Sequence, residues 1–295
     1  MRALVLSSGG TGGHYHIGAL KYLYQEKAVK HEILCGNSIG AVICAYMTQY
    51  AYGQESFGID RLSDLFLSLT SHDVYKRWKP FGVFQTFLGK QSLYNNAPTR
   101  LLLKTHLDQM KMVDSGKQLR VGVTLRDAYR DKNGVQSNYR VYNELDANII
   151  DAIAASCALT PLFGPVQVGD RLGIDGGVQV VTPIKTAIIA GATDIDVLVC
   201  YPTALTYAEG ASRTAIDAGL HTLNLMSNRL AWLDIERTRE INTMISNGAT
   251  TNKRVVNLNV IHPETDLGVS ALGFNPDTGA HLQKMGWEDA KLHSM

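Results

Sequence analysis

Three groups of residues in this chain have the types and spacing to do chemistry. The first is Gly36-Asn37-Ser38-Ile39-Gly40, which fits G-x-S-x-G, a strand-to-helix turn that lifts a serine hydroxyl clear of a sheet. Gly36 and Gly40 stand two residues either side of Ser38, where a tight turn leaves no space for a Cβ. A helix starting just after Ser38 would aim its free N–H groups at any anion forming beside the hydroxyl. The second group is Asp175-Gly176-Gly177, a carboxylate closing a short apolar run ahead of two glycines. Asp175 is either a turn residue, since Asp-Gly marks turns, or a general base for Ser38. Burial would suit it to the second role by raising its pKa. The third is the loop Ser7-Ser8-Gly9-Gly10-Thr11-Gly12-Gly13, whose amides could cradle a phosphate, face the oxygen of a tetrahedral intermediate, or only make a tight turn. A dinucleotide fingerprint fails, because the sixth position counted from Gly10 is Tyr15, and a Walker lysine is missing.

The elements that must position these groups follow from the apolar pattern. Arg2 to Leu6 reads as a buried strand and Tyr15 to Tyr24 as a helix, and His31 opens a second strand that leads through Ser38 into an apolar helix ending near Ala45. Ser38 therefore arrives after two strands, too early for a sheet on which a triad follows the order Ser, Asp, His. His221, in a predicted helix, and His262, after the last predicted strand at Val255 to Ile261, are the downstream histidines a triad would need. The stretch from Ser56 to Val113 is mainly helical, with Leu62, Leu65, Phe66 and Leu69 on one face. Leu119 to Thr124 and Ser137 to Tyr142 form a predicted hairpin at the sheet edge, turning through Arg130-Asp131-Lys132-Asn133-Gly134. A helix over Asn148 to Ala158, a buried strand over Asp196 to Tyr201 and long helices over Tyr207 to Asn247 complete the pattern. Such alternation favours a mixed, mostly parallel sheet covered by helices, an α/β fold.

Composition narrows the function. The chain has 295 residues and is 45% hydrophobic, enough for one large domain, and 28 Lys and Arg balance 27 Asp and Glu. No overall charge draws it to nucleic acid. Cys35, Cys44, Cys157 and Cys200 lie in apolar stretches without C-x-x-C spacing, so they read as reduced core thiols rather than zinc ligands or disulfides. With no acidic calcium loop either, no metal and no cofactor are expected. Neither a signal sequence nor an apolar run of about 20 residues is present, which predicts a cytoplasmic protein. Tyr75-Lys76-Arg77-Trp78-Lys79-Pro80-Phe81 mixes basic and aromatic residues, as a membrane interface or a solvated loop would.

The three motifs, in this order, resemble the patatin-like phospholipase family. LSSGGTGGHYHIGALKYL resembles its opening strand, loop and helix, and QSLYNNAPTRLLLKTHL, ASCALTPLFGPV, GIDGGVQVVTP and FNPDTGAHLQKMGWEDA resemble later segments. The resemblance implies a three-layer α/β/α fold, one acyl hydrolase domain over residues 1–295, and residues 56–113 as a helical insert beside the substrate path. It also implies a lipid or phospholipid substrate, transient contact with a membrane surface, and a Ser-Asp dyad without histidine. Carried over by position, Ser38 is the nucleophile and Asp175 the base, and the amides of Gly9, Gly10 and Thr11 form the oxyanion hole. Two positions depart from the family pattern of three glycines followed, two residues later, by Arg or Lys: Ser8 replaces the first glycine and Gly12 the basic residue. His14 is the candidate substitute for the lost cation. Two other readings stand beside this one. GGTGGH also resembles the sugar-nucleotide loop of the lipid-linked N-acetylglucosaminyl transferases, and loss of the basic residue would suit a catalytically lapsed binding protein.

Overall fold

The computed structural model describes residues 1–79, 89–130, 134–205 and 215–293. The first half runs β1 (Arg2–Leu6), α1 (Gly13–Gln25), β2 (Ile33–Gly36), α2 (Ile39–Thr48), α3 (Glu55–Ser68), α4 (Ser71–Val74), β3 (Lys76–Arg77), β4 (Tyr94–Asn95), α5 (Ala97–His106) and α6 (Gln109–Asp114). The second half runs β5 (Gln118–Arg130), β6 (Gln136–Tyr142), α7 (Ile149–Ser156), β7 (Val166–Val168), β8 (Arg171–Asp175), α8 (Ile184–Ile189), β9 (Asp194–Leu198), α9 (Ala215–Ser246), β10 (Asn257–Ile261) and α10 (Pro276–His293).

Eight strands form one sheet in the order β10-β9-β1-β2-β5-β8-β7, with β6 also paired to β5. The pairings from β10 to β5 are parallel, and those involving β6, β7 and β8 are antiparallel. Alternate residues of β1 and β2 enter two separate cores. Leu4, Leu6 and Leu34 join Ile17, Ile43, Leu62 and Ile153 of α1, α2, α3 and α7. Ala3, Val5, Ile33 and Cys35 join Ile184 of α8 with Ala231, Trp232 and Ile235 of α9. Side chains alternate between the faces of a strand, so these two cores are the two interfaces of a three-layer α/β/α stack. Burial on both faces is why β1 and β2 read as continuous apolar runs.

One register detail decides where the chemistry falls. Val121 pairs with both Gly36 of β2 and Tyr142 of β6, and Val123 pairs with both Arg140 of β6 and Asp175 of β8. Since Val121 and Val123 both pair with β6 on one edge of β5, β2 and β8 share the other. They run towards each other along it, and their C-terminal ends meet with Gly122 of β5 between.

Several elements differ from the sequence reading. The predicted hairpin does not sit at the sheet edge: β5 is an interior strand of 13 residues paired on both sides, and only β6 lies at an edge. Its length comes from serving β2 with one half and β8 with the other, which no local pattern reveals. Residues 131–133 of its turn, Pro80 and Phe81 of the basic-aromatic stretch, and residues 207–214 of the predicted long helix lie outside the described residues. The predicted strand at Asp196 to Tyr201 starts two residues earlier and ends three earlier, at Asp194–Leu198. On α3, Leu62 and Phe66 are buried in the core while Leu65 and Leu69 are half-buried, as the apolar stripe requires. Among the described residues no helix is long and apolar enough to cross a membrane.

Candidate active site

Ser38 sits where β2 ends and α2 begins, with φ 55° and ψ −128°. A non-glycine residue held at positive φ costs about 1–3 kcal/mol and persists only where its surroundings over-determine it. Here they do. The Ser38 N–H donates to Ser156 Oγ at 2.9 Å, and Ser156 Oγ–H donates to the Gly122 carbonyl at 2.7 Å. The Gly122 N–H donates to Asn37 Oδ1 at 2.9 Å, while Asn37 Nδ2 donates to Tyr139 Oη at 3.0 Å and to the Val180 carbonyl. The turn is thus tied to Gly122 of β5 twice, through the Asn37 side chain and through the Ser38 amide by way of Ser156. Gly36 and Gly40 lie against one another, and a Cβ on either would run into backbone.

Asp175 ends β8 and is 3% exposed. Its Oδ1 accepts from the Gly177 N–H at 2.7 Å, its own N–H donates to the Ala158 carbonyl at 3.1 Å, and Ser38 lies close enough to pull its carboxyl pKa downward. Burial raises the carboxyl pKa to about 7 against the opposing pull of Ser38 and the Gly177 N–H. A carboxylate poised near neutrality can accept a hydroxyl proton as the oxygen attacks. Gly176 and Gly177 follow directly: a Cβ on Gly176 would strike the Gly122 carbonyl, and one on Gly177 would meet the Ser8 hydroxyl.

The glycine-rich loop lies at the end of β1, one strand from Ser38. Its amides are not equivalent. Thr11 donates its N–H to the Ala271 carbonyl at 3.0 Å and its hydroxyl to the same oxygen at 3.2 Å, so the third predicted oxyanion donor is already engaged. The Gly9 and Gly10 amides donate to no backbone oxygen among the described residues. A segment distant in sequence makes this difference, and the motif carried no sign of it.

Gly12, where the family has Arg or Lys, is closed off from below. A Cβ there would stand 2.9 Å from Cys200 Sγ and 3.0 Å from Cys200 Cβ. Cys200 Sγ lies 3.2 Å from the Gly12 carbonyl and 3.0 Å from His16 Nε2. Burial pushes its thiol up to about 12 and the His16 imidazole down to about 3, so this pair is a neutral support for the loop. His14 does not replace the missing cation. It is buried against Phe66 and Phe274, both ring nitrogens lack partners, and desolvation lowers its pKa to about 4.

Of the two downstream histidines, His262 is remote. His262 follows β10, three strands from β2 and so about 14 Å away at the usual strand spacing, and packs on Trp232 and His293. His221 is half-exposed on α9. Sequence reasoning missed Asn37 as the clamp on Gly122, Ser156 as the acceptor for the Ser38 amide, and Cys200 and Ala271 as the walls of the loop. Ser156 lies in the segment ASCALTPLFGPV, but nothing in its spacing marked it.

The family model for patatin-like phospholipases matches residues 4–188, a span that includes the loop, Ser38 and Asp175. The chain belongs to the patatin-like phospholipase family. Among solved structures it is similar to VipD from Legionella pneumophila, at 12% identity and a TM-score of 0.44 over 99% of this chain. It spans 66% of that protein's chain. No curated protein matches it.

Two outcomes follow from this geometry. The folded protein holds Asp175 protonated more readily than the unfolded chain does, so the carboxyl lowers stability progressively as pH rises from about 4 to about 7. Asp175→Asn, neutral at every pH, should therefore gain melting temperature relative to wild type between pH 5 and pH 8; a constant difference would contradict the raised pKa. Separately, Gly12→Arg should lose about 1–3 kcal/mol in denaturant unfolding, the usual cost of overpacking. Cys200→Ala should relieve part of that loss, and an equal penalty in both backgrounds would show that Cys200 is not the obstacle.

Proposed function

We propose that this protein is a serine lipid acyl hydrolase of the phospholipase A or lysophospholipase type, a single domain in which Ser38 is the nucleophile and Asp175 the general base. The observation that carries the reading is the pairing itself: a serine in a strained turn beside a buried carboxyl whose pKa burial raises to about 7. As Ser38 Oγ attacks the ester carbon, its proton passes to Asp175, and the carbonyl oxygen becomes an oxyanion beside the free Gly9 and Gly10 amides. Collapse expels the alcohol, which takes the proton back from Asp175 and leaves an acyl group on Ser38. Water then attacks the acyl-enzyme with Asp175 again as base, and the fatty acid leaves. The positive end of α2 faces the same oxyanion. No imidazole is needed, in keeping with His262 lying three strands from β2.

The loop offers little to a nucleotide. Ala271 crowds it at Gly10 and Cys200 at Gly12, leaving two free amides, a number suited to one oxygen rather than a diphosphate.

Turnover of a short-chain p-nitrophenyl ester by four variants tests the assignment. Ser38→Ala should abolish hydrolysis, and Asp175→Asn should lower it by about a hundredfold or more, the scale of general-base contributions. His221→Ala and His262→Ala should each stay within about tenfold of wild type, roughly 1.4 kcal/mol in the barrier. A folded His262→Ala slowed a thousandfold would replace the dyad with a triad, and normal turnover in Asp175→Asn would return that residue to a turn.

A further inference from the structure

The chain is nearly neutral overall, but its charge is not evenly spread. Between Thr70 and His106 it carries six cations, Lys76, Arg77, Lys79, Lys90, Arg100 and Lys104, against one acid, Asp73. Asp73 is already occupied in capping α4, where its carboxylate accepts from the Thr70 N–H and hydroxyl. The six cations are all exposed. Among the described residues, Lys76, Arg77, Lys90, Arg100 and Lys104 form no salt bridge.

These residues are held on a built platform. β3 pairs antiparallel with β4, Lys76 opposite Asn95 and Arg77 opposite Tyr94. Half-buried Trp78 donates its indole N–H to the Ser92 carbonyl at 3.0 Å, and the Lys90 ammonium stands 4.6 Å over its ring. The ribbon is fastened at its other side. Leu93 and Tyr94 donate their N–H groups to the Pro161 and Leu162 carbonyls at 3.0 Å, and Tyr75 packs on Tyr94 and Phe163. That fastening segment begins where the site ends, since Ser156 accepts the Ser38 amide and the Ala158 carbonyl accepts the Asp175 amide. A few residues of chain thus join the ribbon to both members of the dyad.

We propose that the β3–β4 ribbon and the start of α5 form a docking surface for an anionic phospholipid surface, seating the dyad at the lipid interface. The proposal rests on the acyl hydrolase reading and adds the charge of the surface from which substrate is drawn. Exposed cations supply attraction to anionic headgroups, about fivefold in partition for each Lys or Arg near the surface, and Trp78 supplies a ring suited to the headgroup layer. Nucleic acid would also meet cations and aromatic rings, but the direct connection to a lipid-hydrolase dyad favours a membrane.

Vesicle cosedimentation of the full chain tests this, using phosphatidylcholine alone and phosphatidylcholine with about 30% phosphatidylglycerol, a strongly anionic surface. Wild type should partition to the anionic vesicles and be released at about 0.5 M salt, where screening is short-ranged. The triple variant Lys76→Ala, Arg77→Ala, Lys90→Ala should partition more weakly by on the order of a hundredfold. It should turn over a soluble p-nitrophenyl ester like wild type, which also reports that it is folded. Ser38→Ala should bind vesicles normally, so the partition remains readable even if the hydrolase reading fails. Unchanged partition of a folded triple variant, equal binding to neutral vesicles, or displacement from vesicles by a single-stranded oligonucleotide at lower concentration than by soluble phosphatidylglycerol would overturn the proposal.

Discussion

The arrangement depends on two strands meeting end to end along one edge of a third. β2 enters parallel to β5 and stops at Gly36, β8 enters antiparallel and stops at Asp175, and only Gly122 of β5 lies between the two ends. A strand end is where side chains are released from the ladder, so this collision brings a turn serine and a terminal aspartate together without a loop having to find its way. Gly122 then serves both sides, its N–H clamped by Asn37 and its carbonyl by Ser156, and no Cβ could share that space with Tyr139 and Asn37. β5 is long because it must span both partners.

The site is costly in two different ways. Ser38 occupies a strained backbone region, and Asp175 is a carboxyl taken almost wholly out of water. Both costs are borne by a sheet buried on both faces, where two apolar cores fix the strands that carry the pair. Burial outweighs the opposing pull of Ser38 and the Gly177 N–H in setting the Asp175 pKa, and it is this imbalance that would make the carboxyl a usable base in the proposed reaction. The loop at the end of β1 follows the same logic with neutral groups. Cys200 and His16 are both held uncharged beneath it, so its free amides are the nearest source of positive potential from the loop itself.

What the sequence made legible was local. G-x-S-x-G needs only a strand, a turn and a helix in succession, and Asp-Gly-Gly needs only a strand end, so the places of Ser38 and Asp175 at strand ends were readable from neighbours within a few residues. The α/β class followed from periodicity for the same reason. What stayed hidden came from contacts across long separations. Thr11 looked equivalent to Gly9 and Gly10 until Ala271, 260 residues away, took its N–H and hydroxyl. Gly12 looked like a loss until Cys200 was seen filling the space a side chain would need. The hairpin seemed to lie at an edge because nothing in Leu119 to Thr124 tells of a second partner arriving from β8 on the side β2 has left.

The most direct test of the central claim is the rate at which a fluorophosphonate labels the protein as a function of pH, with the modified peptide identified by mass spectrometry. If Ser38 is activated by Asp175, the label falls on Ser38, the rate rises with pH to a plateau above about 7, and Asp175→Asn labels slowly with that rise abolished. Label on another residue, or a rate at Ser38 that follows the same pH curve in wild type and Asp175→Asn, would contradict the account.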